Sequence, residues 1–178
     1  MIKIGSTIIE DNLNENQIQI IRKTARAIIL NDRKEVLMAY SKFYNDYMFP
    51  GGGIHKYEDG ITAVIREMKE ELGAVNPKVL EPFGYTEEIR YGCHDDSRVF
   101  HQISNYYICE IDEFGAQQLK GNETFYGIEP LWMNIDQVIH HNHQVIQDDK
   151  HQKKGLKTVL LRENQVLKKL KEIMDEKI

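Results

Sequence analysis

The stretch Gly52 to Ala74, GGIHKYEDGITAVIREMKEELGA, decides how this chain is read. Asp59 is placed to cap a helix N-terminus, Gly60 to Leu72 reads as helix, and Gly73 stands where a left-handed C-terminal cap belongs. Ile61, Val64, Ile65, Met68 and Leu72 recur at helical spacing and define a core face. Glu67, Glu70 and Glu71 fall on a different face, three and four residues apart, so their carboxylates are neighbours. Each like-charged pair of this kind costs about 0.2–0.5 kcal/mol. Glu70 and Glu71 also sit in the last turn, where the helix dipole favours cations. Neither helix propensity nor solubility requires this arrangement, and its simplest use is to hold a divalent cation.

Working outward, the chain is 178 residues long, enough for one domain with a full core. It is 41% hydrophobic and 29% charged, an ordinary balance for a soluble globular protein. With 28 acids against 23 bases the net charge is −5, which argues against a dedicated nucleic-acid surface. A small anionic substrate stays compatible with that charge if a metal supplies the local positive field. Cys93 and Cys109 are the only cysteines and form no CxxC pair, so they read as reduced, part-buried thiols. No apolar run reaches membrane-spanning length, and the N-terminus lacks a basic-then-apolar signal pattern, so a cytoplasmic protein is expected.

Residues 1–23 read as an N-terminal arm of the same domain, anchored by Ile2, Ile4, Ile8 and Ile9, able to add an edge strand or to reach a second subunit; a homodimer is left open. Residues 24–178 read as the main domain. Ala25–Leu30 and Glu35–Tyr40 are two strands around a turn, and Tyr47–Phe49 is a third strand, ended by Pro50 and the glycines. Val79–Tyr91 and Val99–Ile111 are long extended segments joined by the polar loop Gly92–Ser97. Glu113–Gly127 reads as loop with one helical turn, Pro130–Met133 as strand, Ile135–His140 as a short helix and Leu156–Met174 as an amphipathic helix. Lys168, Lys169, Lys171 and Lys177 with Glu172 and Glu176 give that last helix a solvated face. Strands before and after a helix, with a hairpin between them, predict an α/β fold with a mixed sheet and helices on both faces.

The chemistry follows from the acids. Magnesium and manganese are hard cations that prefer oxygen ligands, and a bound cation draws neighbouring carboxylates to their charged form. Such a site suits phosphates: the metal neutralises charge, polarises a phosphoryl oxygen and acidifies a bound water. Gly51-Gly52-Gly53 allows close backbone approach to a ligand, without the Gly-Lys-Ser/Thr ending of a Walker loop.

Gly52, five residues, Glu58, seven residues, and then Arg66-Glu67-Met68-Lys69-Glu70-Glu71-Leu72-Gly73-Ala74 resemble the Nudix box, G-x5-E-x7-R-E-U-x-E-E-x-G-U. Every Gly, Glu and Arg of that pattern is matched. Met68 is an unusual apolar residue for its position, and Ala74 is small for its own. Trp132 followed by Asp136 also looks like the family's later segment. The resemblance implies an α/β/α sandwich with a mixed central sheet. It also implies magnesium-dependent (or manganese-dependent) hydrolysis of a pyrophosphate bond in a nucleoside diphosphate linked to another group. By the same resemblance Glu70 and Glu71 are metal ligands, and Glu67 is a further ligand or orients the attacking water. The Gly52 carbonyl completes the metal shell, Arg66 fixes the carboxylates, and Glu58 is an outer partner. Glu123 and Glu129, with Glu113 behind them, are candidates for the general base. Tyr91 lies where dinucleoside polyphosphate hydrolases of the family carry a tyrosine, which makes it a substrate-contact candidate; Pro82 comes too early for the proline of ADP-ribose hydrolases.

Two alternatives remain beside a small-nucleotide hydrolase: a nucleotide-sensing module on the same fold, and an enzyme that removes pyrophosphate from RNA 5′ ends. The intact acidic set argues against the first and the acidic net charge against the second. His140-His141-Asn142-His143 reads as a polar helix end rather than a metal site, because no cysteine or carboxylate joins it at zinc spacing. Tyr85, Tyr91, Phe100, Tyr106 and Tyr107 read mainly as cross-strand packing.

Overall fold

The computed structural model describes residues 1–176; Lys177, assigned above to the solvated face of the last helix, lies outside them. The strands are β1 (Ile8–Ile9), β2 (Ile20–Ile29), β3 (Val36–Ser41), β4 (Asp46–Met48), β5 (Gly51–Gly53), β6 (Ala74–Val75), β7 (Lys78–Tyr91), β8 (Val99–Glu110), β9 (Glu113–Phe114) and β10 (Ile128–Met133). The helices are α1 (Gly60–Leu72), α2 (Asn122–Tyr126), α3 (Ile135–Val145) and α4 (Val159–Glu176). A five-stranded sheet runs β1-β7-β8-β2-β5, a three-stranded sheet runs β10-β3-β4, and β6 pairs with β9. The larger sheet is mixed: β2 lies parallel to β8, while β7–β8 and β2–β5 are antiparallel.

From Thr24 onward strand β2 is buried on both faces, so its two side-chain rows enter two cores. Ala25, Ala27 and Ile29 meet Ala63, Val64, Met68 and Leu72 of α1. Ile28 points the other way, into a core with Tyr106, Val138 of α3, and Val166, Leu167 and Leu170 of α4. The result is an α/β/α sandwich, as the sequence predicts. No helix among the described residues is long and apolar enough to cross a membrane.

Several boundaries differ from the expectation. The glycine run does not merely end a strand; it is a strand, with Gly52 opposite Ala25 of β2. Strand β4 stops at Met48, leaving Phe49 buried beneath the glycines. Helix α3 continues five residues past His140, because Asn142 is buried and its side chain bonds both the N–H and the C=O of Tyr47. Helix α4 starts at Val159 rather than Leu156. The core face of α1 is also shifted: Ile61 is 49% exposed and Ala63 is buried in its place.

Helix α4 is not simply apolar inside and charged outside. Arg162 and Glu163 are buried in it. Arg162 donates to Glu88 Oε2 at 2.9 Å and to Glu163 Oε1 at 2.6 and 3.0 Å, while Thr158 and Gln102 also donate to Glu88. Glu163 Oε2 then accepts the Phe49 N–H at 2.7 Å, and Arg26 donates to the Phe49 carbonyl at 2.9 Å. A buried ion network thus clamps the residue two positions before Gly51 from both sides. Breaking such a pair by removing one partner leaves an uncompensated buried charge.

The N-terminal arm lies along the open edge of the sheet. Its strand β1 runs parallel to β7, and the buried Glu10 carboxylate accepts the N–H groups of Tyr91 and Gly155 at 3.0 and 2.9 Å. Cys93 and Cys109 are free.

Candidate active site

Helix α1 presents its acids to the glycine strand because both ends are fixed. Asp59 caps it through the Thr62 N–H at 2.7 Å, and Gly73 turns out of it at φ 68°, a conformation that glycine adopts without the Cβ penalty. The last-turn carbonyls, which lack partners inside a helix, are taken up by the 115–120 loop. Gln118 N–H donates to Glu70 O and the Gln117 side chain to Glu71 O, both at 2.7 Å, and Gly115 N–H donates to Gly73 O at 2.6 Å. This clamp has no signature in the sequence beyond two adjacent amide side chains.

Glu67 and Glu71 are each only 6% exposed, so the acidic face is not a solvated one. Glu71 Oε2 accepts the Gly51 N–H at 2.8 Å. Burial, reinforced by the charges of Glu67 and Glu123, pushes the Glu71 carboxyl up to about 8. Burial also raises Glu67, against the opposing hydrogen bond from Arg66. Glu67 lies flat against Gly52: a Cβ at that position would stand 2.5 Å from its Oε1. We expect Gly52→Ala to displace the Glu67 carboxylate and cut turnover by about 100-fold, the scale of a 1 Å misplacement in an active site. Steady-state kinetics beside a melting curve checks this, and unchanged kcat would contradict it.

Arg66 gathers the group. It grips Glu58 with Nε and Nη2 at 3.2 and 2.6 Å, reaches Glu67 and Glu70 with Nη1 at 2.7 and 3.4 Å, and donates to Gly53 O at 3.0 Å. That grip holds Glu58 down at about 2 and raises the guanidinium. Lys120, from the loop before α2, forms an ion pair with the other oxygen of Glu70.

Of the three base candidates, the structure brings one to the group. Glu123, half-buried on α2, is close enough for its charge to raise both Glu67 and Glu71. Glu129 instead pairs with Lys42 at 2.7 Å, and Glu113 is exposed on β9. Tyr91 lies apart, under Lys154 Nζ at 3.6 Å. Gly52, Glu58, Arg66, Glu67, Glu70 and Glu71 form one constellation.

Residues 21–156 match the NUDIX domain. The chain belongs to the Nudix (MutT-like) hydrolase family. The Nudix match stops before α4, yet α4 supplies Glu163, which fixes the approach to the glycine strand. Among solved structures, the MutT protein from Methanosarcina mazei Go1 superposes with a TM-score of 0.53 at 12% identity, over 86% of this chain and 97% of that one. A Nudix hydrolase from Nitrosomonas europaea gives 0.51 at 19% identity, over 75% and 90%. Both likenesses show the fold. A curated relative, the RNA pyrophosphohydrolase of Marinomonas sp. (strain MWYL1), is 37% identical over 65 residues, which is 36% of this chain and 40% of that protein.

Among the described residues no three His, Cys, Asp or Glu side chains converge into a ready-made ion site. Arg66 and Lys120 occupy carboxylate oxygens instead. The donor chemistry nonetheless fits a hard divalent cation. The donors are all oxygens, two of the carboxylates are buried, and burial pushes one of these up to about 8, a cost that a bound cation would offset.

Proposed function

We propose that this Nudix protein is a magnesium-dependent pyrophosphohydrolase, with manganese as a substitute, acting on a nucleoside diphosphate linked to another group. The observation that carries the reading is the buried pair Glu67 and Glu71 against Gly51 and Gly52, an acidic arrangement whose cost a structural role does not explain. Glu67, Glu70, Glu71 and the Gly52 carbonyl would hold the metal, which supplies charge neutralisation and polarisation at a phosphoryl oxygen. Arg66 holds Glu58, Glu67 and Glu70 in register and keeps the charge balance when substrate leaves. Glu123, linked to Glu70 through Lys120 but on a separate element, would accept a proton from the attacking water. Release of nucleoside monophosphate, measured over a nucleotide panel with and without magnesium, tests the assignment; no metal-dependent turnover on any member would overturn it.

The local similarity to an RNA pyrophosphohydrolase favours a second reading, in which the diphosphate is the 5′ end of an RNA. The net charge of −5 opposes it. A 5′-triphosphorylated oligonucleotide in the same panel separates the two.

The ion-free protein carries a pH signature. Glu71 titrates at about 8 in the fold against an ordinary 4.5, so between those values the folded chain binds more protons than the unfolded one. Its stability is therefore expected to fall as pH rises from about 4.5 to about 8 on account of this group. Glu58, held at about 2, acts in the opposite sense only below its ordinary 4.5. Magnesium favours charged carboxylates, so the rise in Tm it gives is expected to grow over the same window. Calorimetry at about pH 6 and about pH 8 checks this, and a magnesium increment that shrinks with pH would contradict it.

A further inference from the structure

Against helix α2 lies a cavity of about 560 Å³, within the range of small-molecule sites. Four aromatic rings border it in two layers: Phe43 against Phe125 with centroids 4.8 Å apart, and Tyr44 against Tyr126 at 5.0 Å. Phe125 is 68% exposed, so its ring offers a face that the protein itself does not cover. Lys153 and Lys154 also line it; among the described residues neither makes an ion pair, and Lys154 sits over the Tyr91 ring. Asp95 and Asn122 add an acceptor and an amide to the same lining. Flat apolar surface, cations that lack an ion pair and a few hydrogen-bonding groups together fit a flat, polar-edged and anionic ligand better than a lipid or a peptide.

The position of the cavity matters as much as its lining. Lys120 pairs with Glu70 and its backbone N–H donates to Glu123 on α2, and residues 122, 125 and 126 of the same helix line the cavity. The far wall is held from outside: the Glu10 carboxylate of the N-terminal arm binds Gly155 N–H, between Lys154 and Leu156. His94 and Asp95, also in the lining, both have positive φ, 56° and 63°, a strain that non-glycine residues keep only where the surroundings enforce it.

We propose that this cavity seats the nucleobase of the substrate, stacked on Phe125, with Lys153 and Lys154 drawing in the phosphate charge. The proposal deepens the hydrolase reading and rests on it for the link to turnover, but its binding test does not depend on hydrolysis. Nucleoside 5′-monophosphates are titrated into the full metal-free chain and followed by aromatic proton NMR, with ribose 5-phosphate as the probe that lacks a base. Phe125→Ala is expected to weaken nucleotide binding by about tenfold, the scale of one base–aromatic stack, and to leave ribose 5-phosphate binding unchanged. Phe125→Trp restores nucleotide binding, which separates loss of the ring face from loss of the local fold. Lys154→Ala weakens both probes. Nucleotide binding equal in wild type and Phe125→Ala would overturn the proposal, as would the absence of nucleotide binding or an equal loss for ribose 5-phosphate. If the cavity binds nucleotides as expected while the hydrolysis panel is blank, the nucleobase site stands and the hydrolase reading fails. If the panel shows turnover while Phe125→Ala leaves nucleotide binding and KM unchanged, the reverse holds.

Discussion

Glu70→Gln is expected to lower magnesium-dependent turnover by about 10³-fold, a loss of about 4 kcal/mol in transition-state stabilisation, while the melting temperature of the ion-free protein stays the same or rises. The side chain keeps its size, and its single amide oxygen keeps one of the two contacts, to Arg66 or to Lys120. What goes is one negative charge in a cluster that contains Glu58, Glu67, Glu71 and Glu123. In the ion-free state that removal relieves repulsion; in the loaded state it removes a ligand. The opposite signs on stability and activity separate a metal-holding role from a structural one. Substantial activity in Glu70→Gln would exclude Glu70 from the metal shell.

Arg66→Ala has the largest expected effect on the fold. The guanidinium is the shared partner of Glu58, Glu67, Glu70 and the Gly53 carbonyl, and all three carboxylates are largely withdrawn from water. Its removal strands them, at about 3 kcal/mol for an uncompensated charge group of this burial. For a chain of this size that corresponds to a Tm lower by about 6–12 °C. Lysine is a poor substitute because it cannot reproduce the two-pronged grip on Glu58. Magnesium recovers part of the lost stability by taking over the charge balance. A Tm unchanged by Arg66→Ala would mean that these contacts hold nothing together.

These two residues were legible from the chain alone because helix periodicity, caps and acids lie in one contiguous stretch, and local spacing then fixes spatial proximity. The α/β/α layering was legible for the same reason: runs such as ARAIIL and EVLMAY declare strands without their partners. The glycine strand was not, because glycine has no strand preference of its own and β5 exists through its pairing with β2. The burial of Arg162 and Glu163 has no signal in the sequence, since charge implies exposure until a partner such as Glu88 arrives from a distant strand. The loop that caps α1 works mainly through backbone N–H groups, which every residue has. That Glu123 lies nearer the acids than Glu129 or Glu113 needed the path of that loop. The rings of the cavity come from two segments some eighty residues apart, Phe43-Tyr44 and Phe125-Tyr126, so no window of sequence contains them together.

The central claim is that the acids of α1 hold a divalent cation. Manganese titrated into the purified chain and followed by electron paramagnetic resonance tests it directly, because bound and free ion give different signals and no substrate is needed. The account expects saturable binding that magnesium displaces, and that is lost when Glu67 and Glu70 are both replaced by glutamine. Binding that is absent in the wild type, or unchanged in the doubly substituted chain, would contradict it.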